Sequence, residues 1–157
     1  IRMENGEANQ ITQYKMNLMD LNQENIQIPP LEFESVITLP SCNFQKICRD
    51  MFNLSDNIEI TTFGEQITFK CKGDIADQET SIGQSTSGGM NCVVTENSNE
   101  IIQGMFSLKY LVLFTKCTNL SSSIELYLKN DYPLIIRYQV ANLGEVKLCL
   151  APISIHD

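Results

Sequence analysis

The strongest constraint on this chain is that one pattern of elements occurs twice. FESVITLP (33–40) alternates apolar and polar residues as a half-buried strand does, and 41–54 then has the spacing of an amphipathic helix. NIEITTF, EQITFKCKG and QETSIGQST follow as three strand-like runs separated by turn residues. A second pass opens with MNCVV and EIIQGMF as strand and continues with SLKYLVLFTKCT (107–118) as a helix begun at Ser107. It closes with SSIELYLKN, YPLIIRYQV and EVKLCLAPI as three more strands, with Asn130-Asp131 and Asn142-Leu143-Gly144 as turns. The order β-α-β-β-β therefore repeats, and it predicts an α+β fold. Two units pack about a pseudo-two-fold axis, with antiparallel sheets outside and the two helices side by side.

The helices raise a question of charge. In the first, Phe44, Ile47, Cys48 and Met51 share one face, while Lys46 and Arg49 stand nearly opposite with Asp50. In the second, Leu108, Leu111, Val112 and Thr115 share a face, and Lys109 and Lys116, a heptad apart, are expected to project together. The chain as a whole is acidic, with 19 Asp and Glu against 11 Lys and Arg. Yet the two helices hold these four cations and a single acid, Asp50. One basic stripe is ordinarily a solvated face. Two helices that segregate charge in the same way inside an acidic chain point instead to a polyanion admitted at one place and repelled elsewhere. Four cations without an array of aromatic or amide side chains give weak, salt-sensitive phosphate contact and no reading of bases. Such a surface suits sliding over duplex DNA.

Other function classes find little support. Hydrophobic content of 43% and charged content of 19% are those of a folded soluble domain. The apolar run LVLF is far short of a membrane span, and no membrane partner or signal peptide is expected. Ile1 in place of a start methionine suggests a fragment of something longer. Six cysteines and two N-x-S sequons, at Asn53 and Asn119, fit a secreted disulfide domain on paper. Cys48 belongs to an apolar helix face, however, Cys71 and Cys149 sit inside strands, and no C-x-x-C pair is present for zinc. Reduced thiols in an intracellular compartment are expected, with no metal and no cofactor. An enzyme is disfavoured. The single histidine, His156, stands beside the last residue, SIGQSTSGGM is not followed by Gly-Lys-Ser/Thr, and DIADQE lacks a Ca²⁺-loop pattern.

Several segments together carry a family resemblance. LMDLNQENIQIPP, LPSCNFQKICRDM, FSLKYLVLFTKCTNLSSSIELYL, YPLIIRYQVANLG and LAPI resemble, in order and spacing, the C-terminal half of the eukaryotic-type DNA sliding clamps, the proliferating cell nuclear antigen (PCNA) family. The resemblance implies that 1–18 is the last strand of a truncated first clamp domain, 19–35 the interdomain connector, and 36–157 the C-terminal clamp domain. It implies a processivity factor, not an enzyme, that encircles duplex DNA as a homotrimer of the full-length parent. The positions matching the hole-lining cations are Lys46, Arg49, Lys109 and Lys116. Its partners are a DNA polymerase, a clamp loader and other clamp-binding proteins, in the nucleus or a viral replication compartment. An alternative is a fragment that forms no ring and serves only as a peptide-binding module.

The resemblance also implies a docking groove. Ile26, Ile28 and Pro29 of the connector are expected to join Pro133, Cys149, Ala151, Pro152 and Ile153 in binding peptides of the form Q-x-x-(aliphatic)-x-x-(aromatic)-(aromatic). Cys149 departs from the aromatic residue usual before L-A-P, so the pocket floor is expected to be reshaped. Gly64 stands where the family commonly carries a modifiable lysine, and nothing selects Lys70 or Lys72 in its place. The segment 79–86, with Ser81, Ile82 and Gln84, is expected to pair across subunits with 11–18, which contains Tyr14 and Met16.

Overall fold

Residues 2–6, 9–17, 33, 35–84, 91–94 and 100–153 are described in a computed structural model of the chain, with only the backbone at 4, 5 and 91–94. They fall into two compact units, Ile1–Leu31 and Glu32–Asp157.

In the first unit, β1 (Arg2–Asn5) and β2 (Gln10–Gln13) form an antiparallel hairpin that pairs Met3 with Thr12 and Glu4 with Ile11. The segment 1–18, expected as a single strand, thus carries two. Turn residues separate them: Gly6, and Asn9 at φ 46°, a left-handed conformation that asparagine adopts more readily than most residues. The second strand ends at Gln13, so Tyr14 and Met16 lie beyond it rather than within it.

The second unit runs β3 (Ser35–Pro40), α1 (Ser41–Phe52), β4 (Asn57–Phe63), β5 (Gln66–Lys72), β6 (Asp77–Gly83), β7 (Asn91–Val94) and β8 (Ile102–Ser107). It continues with α2 (Leu108–Phe114), a 3-10 helix (Thr115–Leu120), β9 (Ser123–Leu128), β10 (Leu134–Val140) and β11 (Gly144–Leu150). These strands form a five-stranded sheet ordered β11-β10-β9-β3-β7 and a four-stranded sheet ordered β6-β5-β4-β8.

The repeats therefore exchange their leading strands. The strand before α1 pairs with β9 of the second repeat, and the strand before α2 pairs with β4 of the first. The exchange obeys one rule on both sides. Pro40, the last residue of β3, faces Ser123, the first of β9, and Ser107, the last of β8, faces Asn57, the first of β4. At the next residue the rule continues through the backbone. The Ser41 amide donates to the Ser122 carbonyl at 3.0 Å and the Leu108 amide to the Asp56 carbonyl at 2.8 Å. Each helix start thereby gains a partner for an amide that no earlier turn can satisfy. Ser107 does precede α2 at the N-cap position, but its side chain makes no capping bond there.

Alternation decides what lies between the sheets and the helices. Ile37 and Leu39, Ile124, Leu126 and Leu128, and Leu134, Ile136 and Tyr138 face inward from one sheet. Ile58 and Ile60, Ile67, Phe69 and Cys71, and Ile102 and Phe106 face inward from the other. They close one cluster with Phe44, Ile47, Cys48 and Met51 of α1 and Leu108 and Leu111 of α2. The Phe44 and Phe69 rings meet at 6.0 Å and 54° across it.

The second helix corrects the sequence reading. The α-helix stops at Phe114 and the chain tightens into a 3-10 helix. Thr115 and Thr118 account for the change, because each hydroxyl donates to the carbonyl three residues earlier, to Val112 at 2.9 Å and to Thr115 at 2.6 Å. The amide group of Gln45 also donates to the Thr115 carbonyl at 2.8 Å, and the Tyr138 hydroxyl to the Phe114 carbonyl at 3.3 Å. Carbonyls occupied in this way compete with the regular four-residue ladder. The first helix is also shorter than expected, ending at Phe52, with Asn53 and Leu54 in a turn whose amides return to Asp50 and Met51.

Candidate nucleic-acid and partner-docking surfaces

The helical layer consists of α1 packed against α2 and the 3-10 helix. On α1 the buried face leaves Lys46, Arg49 and Asp50 exposed, as the periodicity required. On the second helical stretch Leu108, Leu111 and Thr115 are buried, while Lys109, Tyr110, Leu113 and Lys116 are exposed. Lys109 and Lys116 no longer share a helical phase, because Lys116 belongs to the 3-10 segment. Both nevertheless remain on the solvent side of the layer. None of the four cations forms an ion pair among the described residues. The buried thiol of α1 is inert: burial pushes Cys48 up to about 12, so it is a core group.

The outward face of the five-stranded sheet treats its charges differently. Arg137 donates from Nη1 to Glu125 at 2.8 Å, from Nε to Glu145 at 2.6 Å and from Nη2 to Gln139 at 2.8 Å. The Tyr127 hydroxyl donates to the same Glu125 oxygen at 2.6 Å, and Lys147 reaches Glu145 at 2.8 Å. Burial acts to raise the Glu125 carboxyl, but the bonds from Tyr127 and Arg137 outweigh it and hold the group below its ordinary value. Glu145 is likewise lowered, first by Lys147 and then by Arg137. Those charges are consumed within the sheet.

Beside that ladder lies an apolar row. Register places Tyr127 next to Ile135 and Ile135 next to Cys149, and Phe33 meets Tyr127 edge-on at 5.4 Å. Cys149 is exposed, so a small thiol occupies that end of the row. Pro133, Ala151 and Ile153 are exposed and Pro152 is half-buried. Ile26, Ile28 and Pro29 lie outside the described residues. Sequence reasoning missed Ile101 and Tyr132, exposed apolar side chains of which Tyr132 directly precedes Pro133 and Ile101 bonds through its carbonyl to Asn130. Their only signal was apolarity at a strand start and in a turn.

At the far end of the four-stranded sheet, β6 pairs with β5 alone among the described strands. Ser81 and Ile82 belong to β6, with the Ser81 hydroxyl 2.9 Å from that of Thr68 and Ile82 packed against the core. Gln84 follows the strand, and its amide donates to the Glu65 carbonyl at 3.1 Å. Residues 85 and 86 lie outside the described residues.

A family model described as "Proliferating cell nuclear antigen, C-terminal domain" matches residues 27–153. The chain belongs to the proliferating cell nuclear antigen family. It is also similar to a "Probable DNA polymerase sliding clamp 1" from Paramecium bursaria Chlorella virus 1, at 37% identity over 157 residues, covering 98% of this chain and 58% of that protein. The chain thus spans little more than half the length of that relative. The two helices and two antiparallel sheets are the α+β clamp fold of the PCNA family. Gly64 turns the chain between β4 and β5 at φ 56°, a conformation that favours glycine. Lys70 is drawn toward Glu79 at 3.3 Å, and Lys72 is exposed at the end of β5.

Proposed function

We propose that this chain is part of a DNA sliding clamp, a processivity factor that surrounds duplex DNA and tethers a polymerase to it. The observation that carries the reading is the division of charge. Lys46, Arg49, Lys109 and Lys116 are exposed on one helical layer without ion pairs among the described residues, while Arg137 and Lys147 are neutralised within a sheet. Cations left unneutralised on a net charge of −8 attract phosphates to that layer. Contact through a few lysines and arginines, some of it through water, is weak enough to let the duplex move. Processivity then follows from enclosure: a polymerase docked on the clamp stays at high effective concentration near the primer end. The chain makes and breaks no bond and needs no cofactor.

The ring in this reading is a homotrimer of a longer parent, closed by pairing of 79–86 with 11–18 of a neighbouring copy. A clamp loader opens it, and polymerases and other replication and repair proteins dock on the groove formed by Ile26, Ile28, Pro29, Pro133, Cys149 and 151–153. The setting is the nucleus or a viral replication compartment, where the cysteines stay reduced.

The test is charge reversal of the four helix cations in the longer parent. DNA retention and clamp-stimulated synthesis should fall steeply, and the salt dependence of binding should flatten by roughly one unit of slope for each phosphate no longer neutralised. Synthesis unchanged by all four reversals would overturn the proposal.

A further inference from the structure

The docking reading leaves the free side of β8 unused. Alternate backbone groups of β8 bond to β4, and the others turn toward the opposite edge of the sheet. No described strand covers that edge, and an uncovered edge ordinarily bonds water or another chain. Here two segments distant in sequence cover it. The Asn130 carboxamide acts like one residue of a missing strand: its Oδ1 accepts the Gln103 amide at 2.9 Å and its Nδ2 donates to the Ile101 carbonyl at 3.1 Å. Farther along the same edge, the Ile153 amide donates to the Met105 carbonyl at 2.7 Å.

The first anchor holds the turn that leads into Pro133, and the second holds the segment 151–153. Both carry residues assigned above to the partner groove, so both walls are fastened to one strand edge, two residues apart. On or beside the anchored segments stand three exposed apolar side chains, Ile101 at 55%, Tyr132 at 39% and Ile153 at 36%. Within the turn, Asp131 sits at φ 62°, the Tyr132 amide donates to the Lys129 carbonyl at 3.3 Å, and the Lys129 ammonium lies 5.2 Å from the centre of the Tyr132 ring. Asparagine suits the anchor because its short side chain offers a donor and an acceptor side by side, whereas aspartate lacks the donor and alanine lacks both.

We infer that Asn130 is a positioning residue for partner docking: it sets where the Pro133 turn stands relative to the 151–153 segment, and so the shape of the groove, without touching the docked peptide. This rests on the docking reading above.

The experiment titrates the full 157-residue chain, followed by fluorescence anisotropy, with a fluorescein-labelled peptide Gln-Ala-Ser-Leu-Ala-Ser-Phe-Phe. Asn130→Ala should weaken binding about tenfold, the order expected when one good hydrogen-bonded anchor is removed. Asn130→Asp keeps the acceptor for Gln103 and should recover part of that affinity. Amide exchange at Gln103 should quicken in Asn130→Ala and stay slow in Asn130→Asp, a readout that ties the affinity change to the edge bond rather than to general loosening. Ile153→Asp, which alters the groove itself, should abolish binding. If Asn130→Ala binds as tightly as the wild type while Ile153→Asp does not bind, the positioning role is overturned and the docking reading stands. Should the wild type fail to bind the peptide, the docking reading is overturned and the role of Asn130 falls with it. If Asn130→Ala does not fold, the comparison of Asn130→Asp with the wild type decides, and equal affinities there overturn the role.

Discussion

The two repeats agree inside and diverge outside. Each sends its leading strand into the other's sheet, each begins its helix with an amide bonded to the residue before the facing strand, and each buries three inward positions on both of its first two strands after the helix. On the solvent side the agreement ends. The first repeat has a regular helix and an outer sheet face with one ion pair among the described residues, Lys70–Glu79. The second has a helix that tightens after Phe114 and an outer face crossed by the Arg137 ladder. Packing punishes change in the interior, where any altered volume leaves a void or a clash, and solvent forgives it outside. The lesson is that the duplicated core is the scaffold and the unmatched surfaces carry whatever distinguishes the halves.

The largest effects should come from treating the halves as separable. Because the leading strands are exchanged, neither half holds a complete sheet of its own, and residues 36–153 should unfold in one transition. Phe44→Ala removes one ring of the Phe44–Phe69 pair from the fully buried core and should cost about 3–5 kcal/mol. Leu111→Ala, at the corresponding position of α2, should cost about 2–5 kcal/mol. Denaturant unfolding followed by both tyrosine fluorescence and far-ultraviolet dichroism checks this. Two separate transitions, each sensitive to only one substitution, would break the picture of a shared core.

Much of this interior is legible in the sequence, and for a definite reason. Alternation in NIEITTF and SIELYL states which side chains face inward, since successive residues of a strand point to opposite faces. It does not state which strand lies alongside. The exchange of β3 and β8 is therefore invisible until register is known, because pairing is a long-range property. The cations on the helices were readable for the same reason as the strands: Lys46 and Arg49 stand opposite Phe44 and Ile47 at helical spacing, and the structure leaves them exposed. The end of α2 was not readable, because it depends on Gln45 and Tyr138 reaching from other elements to its carbonyls. The sequence marks Asn130 as a turn residue, which is correct as far as local chemistry goes. Its bonds to Gln103 and Ile101 join residues far apart in the chain.

A smaller effect, about 1 kcal/mol, is expected from breaking the ladder on the second repeat with Arg137→Met, since a network of partly shielded pairs exceeds a single surface pair. The ladder also sets a pH dependence. Glu125 and Glu145 have folded values below their ordinary ones, so their contribution is present above the unfolded carboxylate value and is lost as pH falls through the folded one. Stability of the wild type should decline over that acid range, and Arg137→Met should flatten the decline. Thermal unfolding at a series of pH values measures both. An unchanged acid profile in the variant would mean that the ladder contributes geometry but no stability.

The smallest effect should come from the matching change on the first repeat. Lys70 and Glu79 face each other across β5 and β6 at 3.3 Å, with side chains 44% and 56% exposed. Water screens such a pair, and holding two long side chains together costs entropy that offsets most of the attraction. Lys70→Met should therefore shift stability by no more than about 0.5 kcal/mol, and raising the salt concentration should erase what difference remains. Comparing it with Arg137→Met under identical conditions isolates the contrast between the two outer faces, since both variants replace a strand cation with the same apolar side chain. If Lys70→Met costs as much as Arg137→Met, the outer faces are energetically alike and the ladder is only a denser arrangement of the same weak contacts. A clear gap means that the second repeat gains stability on its outer face as well as in the core it shares with the first.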